Sequence, residues 1–285
     1  MPSNTTTFAP ILAPEQIADL VITPLIAQSI AGQAMTTVQT SSHQYRLPIV
    51  TADPSASFVA ESAEIPATDA AVTELLCTPA KLAALSVISQ ELSDDSTPAA
   101  AAVIGEGIQR NLQRVLDTAL FSATTPNGPG GLPGVSGVST VSAGAAYANV
   151  DAFSDALYTS ANNNGEITSW VTNPATAMVL SKLKTGTGFN SPLLGVDPTQ
   201  PGKRQILGVP LLTSPAVPTT NNQVWGIPQQ FCFFVIRTGA EVLSDRSVFF
   251  TSHRVAIRAT LRCGFAFPYP PSIVKIATTC DGSDT

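Results

Sequence analysis

The sequence predicts an α+β protein with a long arm, and three observations carry that prediction. In residues 98–121, Ile104, Ile108, Leu112, Val115, Leu116 and Ala119 recur at spacings of three and four, the period of one helix face. Gln109, Arg110, Gln113, Arg114 and Asp117 fall largely on the other side. In residues 254–262, Val255, Ile257, Ala259 and Leu261 alternate with Arg254, Arg258 and Arg262, the period of a half-buried strand. Residues 48–80, by contrast, are turn-rich and too poor in apolar side chains to form a core. A loop that long is functional or disordered, and a lone two-stranded hairpin is marginal in water. Such an arm makes physical sense when a neighbouring subunit supplies the surface it lies on.

The remaining elements follow in chain order. Residues 14–32 predict a short helix opened by Pro14 and interrupted near Pro24, and the rest up to Tyr45 reads as an extended, Thr-rich arm. Residues 81–90 predict a strand. Ser96 or Thr97 caps the long helix, with Pro98 in its first turn. About 25 residues at 1.5 Å each make a rod of roughly 37 Å, and the glycine- and proline-rich residues 124–137 stop it. A second module begins near Asn149, with a helix around residues 150–157 ended by Asn162-Asn163-Asn164-Gly165. A strand over 167–173, a helix opened by Pro174, a loop over 185–205 and further short segments through 206–214 and 223–229 continue the alternation. Residues 231–237, FCFFVIR, predict an apolar strand.

Charged residues make up 12% of the 285-residue chain, against roughly 25% in ordinary soluble domains. So much neutral surface fits burial against other chains; a secreted, Ser/Thr-rich β protein is the alternative. The net charge of −6 and a pI near 4.8 exclude a nucleic-acid binder by bulk charge, and no basic run exceeds Lys203-Arg204. The N-terminus lacks a basic region followed by an apolar core, so no signal peptide is expected. No apolar stretch approaches about twenty residues, so no membrane span is expected. Cys77, Cys232, Cys263 and Cys280 are far apart and read as free thiols or small core residues, with a disulfide from Cys263 or Cys280 as the alternative.

Catalytic patterns are missing. His43 and His253 read as surface or interface residues, and no spacing supports a metal site. Ser136 sits in G-V-S-G-V rather than a nucleophile elbow, and Gly186-Thr187-Gly188 lacks the context of a dinucleotide loop. Glu61 and Glu64 lie in the arm without an apolar pocket and read as ion-pairing residues. The arginines of 254–262 are expected to pair with acidic groups of a neighbour, with DNA as the alternative. No catalytic, cofactor-binding or metal residue is assigned, and the protein is expected not to be an enzyme.

Six motifs in order carry a resemblance. FVAESAEIP (58–66) precedes KLAALSVISQELSDDS (81–96), in which Ser89, Glu91, Leu92, Asp95 and Ser96 fit a Ser-x-Glu-Leu-x-x-Asp-Ser pattern. GPGGLPGV (128–135), WVTNPATAMVLSKLK (170–184), GVPLLTSPAVP (208–218) and RVAIRATLRCGFAF (254–267) follow. Together they resemble the major capsid proteins of tailed bacteriophages with the Hong Kong 97-type fold.

That resemblance implies an N-terminal arm over 1–46 and an extended loop (E-loop) over 47–80. It implies a peripheral domain over 81–130 and 235–265, built on a long spine helix, and an axial domain and tail over 131–234 and 266–285. It implies hexamers and pentamers tiling an icosahedral virion shell, assembled in the host bacterial cytoplasm, that encloses double-stranded DNA without sequence-specific binding. Partners are the chain itself, with portal, scaffolding and decoration proteins as further candidates. Phe58, Val59, Glu61, Glu64, Ile65, Arg254, Arg258 and Arg262 are the expected oligomer-interface residues. Only about 45 residues precede the loop, so a fused scaffolding segment is expected to be absent. Part of the family cross-links a loop lysine to an asparagine; residues 48–80 lack lysine and 244–253 lack asparagine, so no cross-link is expected. An encapsulin-type compartment and a secreted α/β hydrolase are the rival readings.

Overall fold

One long helix and two sheets organise the chain in a computed structural model that describes residues 29–52, 54–60, 67–89, 99–186, 188–194, 204–245 and 247–278. Most of the helix expected over 14–32, the cap at Ser96 or Thr97, and Cys280 lie outside the described residues.

The first sheet has four strands. β1 (Thr36–Thr40) runs parallel to β10 (Phe233–Asp245), which pairs antiparallel with β11 (Arg254–Ala266), and β11 with β4 (Ala80–Ser89). The second sheet has six, in the order β5 (Ser139–Ser142), β12 (Val274–Ala277), β9 (Val224–Ile227), β6 (Ser169–Thr172), β8 (Val209–Thr213), β7 (Arg204–Ile206). A separate hairpin joins β2 (Tyr45–Ala52) to β3 (Ala71–Cys77). The helices are α1 (Ile30–Ala34), α2 (Ala99–Leu120), α3 (Asp151–Asn162) and α4 (Pro174–Ser181).

The periodicity of α2 sets its packing. Leu112, Leu116, Ala119 and Leu120 share one core with Ala259, Leu261 and Cys263 of β11. Val115 stays exposed, so the apolar stripe is narrower than the sequence implies. Asp117 departs further: it is buried, because its carboxylate meets the start of α1. The stop after α2 is steric as well as conformational. A Cβ on Gly131 would sit 2.3 Å from the Ala119 and Leu120 carbonyl oxygens, and the Gly131 amide donates to the Ser122 carbonyl at 3.1 Å.

Strand β6 is buried on both faces, which is why its sequence shows no alternation. Trp170 points to one side, edge-on to Phe153 of α3 at 5.2 Å, and Val171 joins the other core with Trp225. Asn173 then caps α4: its side-chain oxygen accepts from the Ala175 amide at 3.0 Å while its amide group donates to the Val217 carbonyl at 2.8 Å.

One strand differs from expectation. Phe231 belongs to a short turn, Gln229–Phe231, and β10 starts at Phe233 and continues past an irregularity between Arg237 and Glu241 to Asp245. The Thr238-Gly239 stretch falls within that irregularity, and pairing with β11 resumes at Glu241, opposite Thr260. Cys77, Cys232 and Cys263 are buried free thiols; burial pushes the Cys77 thiol up to about 11. Among the described residues no helix is long and apolar enough to cross a membrane.

Candidate functional site

The hairpin is held to the body at its base. Tyr45, Leu47 and Leu75 turn inward and pack with Cys77, Phe233, Val235 and Ala266. The Cys77 thiol donates to the Phe265 carbonyl at 3.4 Å. It can sit there because residue 264 is glycine: a Cβ at Gly264 would lie 2.7 Å from the sulfur. The opposite face of the hairpin carries Val50, Val72 and Leu76, all more than half exposed, around one ion pair, Arg46 to Glu74 at 3.4 Å. A β-ribbon with an apolar outer face is incomplete by itself.

Beyond the hairpin tip, Phe58 is 112% exposed and Val59 37%. Neither joins a hydrophobic core among the described residues. Glu61, Glu64 and Ile65 lie outside the described residues. Residues 48–80 carry Asp53, Glu61, Glu64, Asp69 and Glu74 and no basic residue.

The open face of the four-stranded sheet has the opposite sign. Arg254, Arg258 and Arg262 all project from it, with Val255, Ala259 and Leu261 buried beneath. The register brings a further row into view. Arg262 stands between Arg237 of β10 and Lys81 of β4, three cations side by side across three strands. Like charges placed directly opposite one another repel, and none of these has an ion-pair partner among the described residues. Exposed Leu85 lies opposite Arg258 and adds apolar area. The sequence showed the arginines through their alternation. Lys81 and Arg237 were hidden, because only strand register aligns them.

His43 and His253 are both exposed, and among the described residues no three His, Cys, Asp or Glu side chains gather as a metal site would require. What the geometry offers is two exposed features, an apolar-faced arm and a cationic sheet.

A family model described as the phage capsid family matches residues 10–278. The chain belongs to the phage capsid family. It is therefore a major capsid protein, the subunit of an icosahedral shell. Solved structures carry the same fold. The capsid of an empty GTA particle is 20% identical, with 87% of this chain and 88% of that one covered and a TM-score of 0.73. Microbacterium phage Oxtober96 gives 16% identity, coverage of 88% and 91%, and a TM-score of 0.73. Mycobacterium phage Cain gives 15%, coverage of 95% and 99%, and 0.69. At such identities the likeness shows the fold alone, and it is the Hong Kong 97-type capsid fold. No curated protein matches the sequence.

Proposed function

We propose that this capsid protein assembles as hexamers and pentamers around the double-stranded DNA of a tailed phage, held together by contacts between the arm of one copy and the body of the next. One observation carries the reading: the arm presents Val50, Val72, Leu76 and Phe58 to solvent. At ~25 cal/mol per Å² of apolar area, covering a few such side chains contributes several kcal/mol. A neighbouring copy is the natural cover in a shell.

The four interface residues of the arm described or named above, Phe58 and Val59 with Glu61 and Glu64, and the adjacent Ile65 then meet a neighbour. Arg254, Arg258 and Arg262 meet acidic groups of another copy; exposed pairs contribute only about 0–1 kcal/mol each. The four-stranded sheet with α2 forms the peripheral domain, 81–130 and 235–265. The six-stranded sheet forms the axial domain, 131–234 and 266–285, behind an arm over 1–46 and an extended loop over 47–80. DNA is enclosed without sequence-specific binding, in keeping with the net charge of −6. Assembly takes place in the host bacterial cytoplasm, with portal, scaffolding and decoration proteins as candidate partners, and the role is structural rather than enzymatic.

Negative-stain microscopy of the purified protein tests the proposal. Rings or closed shells are expected; a protein that stays monomeric at high concentration and yields no particles when expressed with its neighbouring phage genes overturns it.

A further inference from the structure

Arg204, on the edge strand β7, has a guanidinium nitrogen, Nη1, that is buried without a hydrogen-bond partner. It is the only cationic nitrogen among the described residues in that condition. The side chain lies in an open groove of about 530 Å³ between α4 and strands β7 and β8, together with Ala177, Met178, Ser181, Leu211 and Thr213. No carboxylate lines this groove. A buried donor left unpaired is costly, the more so when charged, and native structures satisfy such groups. Its preferred ligand is a carboxylate, which a guanidinium grips with two parallel hydrogen bonds. The apolar wall, formed by Ile30, Ala177, Leu211 and Leu212 with the exposed Met178, calls for a carboxylate with hydrophobic neighbours.

The same chain carries a surface of that description. Tyr158 on α3 is 71% exposed and shares a shallow hollow with Glu166 and the exposed Leu207. Asp155 lies three residues before Tyr158 on the same helix. Both carboxylates are exposed and have no ion-pair partner among the described residues. By contrast, Glu74 is committed to Arg46, Asp117 is buried, Asp151 and Asp245 are engaged by Asn149 and Ser247, and Asp69 lies in the arm. Tyrosine and arginine are the residue types that dominate interface energetics.

We infer that the Arg204 groove of one subunit receives the Tyr158 face of a second copy, with Glu166 or Asp155 supplying the carboxylate. The inference rests on the proposed shell assembly and adds a second interface, distinct from the arm.

The test follows assembly of the purified full chain by light scattering and negative-stain microscopy. Asp155→Lys with Glu166→Lys, on an exposed face, is expected to raise the protein concentration needed for assembly at least tenfold. Arg204→Glu is expected to do the same, and the three changes combined to restore assembly. Arg204→Met, which removes the unpaired donor at similar volume, is expected to melt at or above the wild-type temperature and still assemble poorly. Wild-type assembly by the Asp155/Glu166 variant or by Arg204→Met overturns the inference, as does failure of the combined variant to recover. Absence of particles from the wild-type chain counts instead against the shell proposal itself.

Discussion

The backbone amide of Ile30 donates to the Asp117 carboxylate at 3.0 Å across 87 residues of chain, tying the start of α1 to the last turn of α2. The acid caps a helix that is not its own. Burial raises the Asp117 pKa from an ordinary 3.8 to about 6, against the lowering effect of the Ile30 and Ala31 amides.

This makes the subunit's stability depend on pH. The folded chain holds the Asp117 proton more tightly than the unfolded chain does. The contribution is therefore complete below about pH 4 and is lost as pH rises through about 6. A shift of about 2 units is worth roughly 3 kcal/mol. Urea unfolding of dissociated subunits between pH 4 and 7 should show a decline of that order in the wild type and a flatter profile in Asp117→Asn. Parallel profiles would refute the assignment.

The seat of Cys77 against Gly264 gives a second expectation. Gly264→Ala places a methyl group 2.7 Å from the sulfur, so the hairpin base must shift. Overpacking of this kind costs about 1–3 kcal/mol. Maleimide labelling of Cys77, slow in the wild type because the thiol is buried, should accelerate in Gly264→Ala. Adding Cys77→Ala should recover most of the lost stability.

Removing the arm's tip tests its role in assembly. Deletion of residues 53–69 leaves the paired strands of the hairpin and both sheets intact. Circular dichroism and thermal melting should resemble those of the wild type, while closed shells should fail to form. Normal particles from this variant would show that the tip is dispensable.

The shell should hold without covalent joints. Residues 48–80 contain no lysine, and Lys81 stands within β4, paired with Arg262. Particles boiled in detergent and reductant should run as a single band near 29.5 kDa. A ladder of oligomers would mean that a different pair of side chains reacts.

The long helix and the arginine-bearing strand were legible because one face of each is buried and the other is not, so each writes its period into the sequence. Strand β1 was not, since its threonines alternate no apolar face; its parallel pairing with β10 makes it a strand. Strand β2 continues through Pro48, opposite Glu74, which a two-stranded ribbon tolerates at its edge but a sequence rule discourages. Asp117 misled by chemistry: a carboxylate on a helix reads as solvent-facing, and only tertiary structure reveals the amides it meets. Of the exposed features that the proposed assembly draws on, the apolar arm residue Phe58 and the three arginines were visible in advance. The row through Lys81 and Arg237 and the groove at Arg204 depend on strand register and on packing between distant segments, which no local pattern encodes.

The hairpin is anchored to the body by the small apolar cluster at its base, where Tyr45, Leu47, Leu75 and Cys77 pack on Phe233, Val235 and Ala266. An open cleft separates the rest of β2 from Phe231 and Tyr269, and this makes the hairpin a lever. Eight residues of β2 at about 3.3 Å each extend roughly 26 Å from that fulcrum. A tilt of about 10° at the small cluster around Cys77 therefore carries the far end of the ribbon some 4–5 Å on the same strand geometry, without disturbing either sheet. In the shell proposed above, a limb that tilts in this way would let one gene product meet its neighbours at more than one dihedral angle, and so pave both the flat and the curved parts of a closed surface.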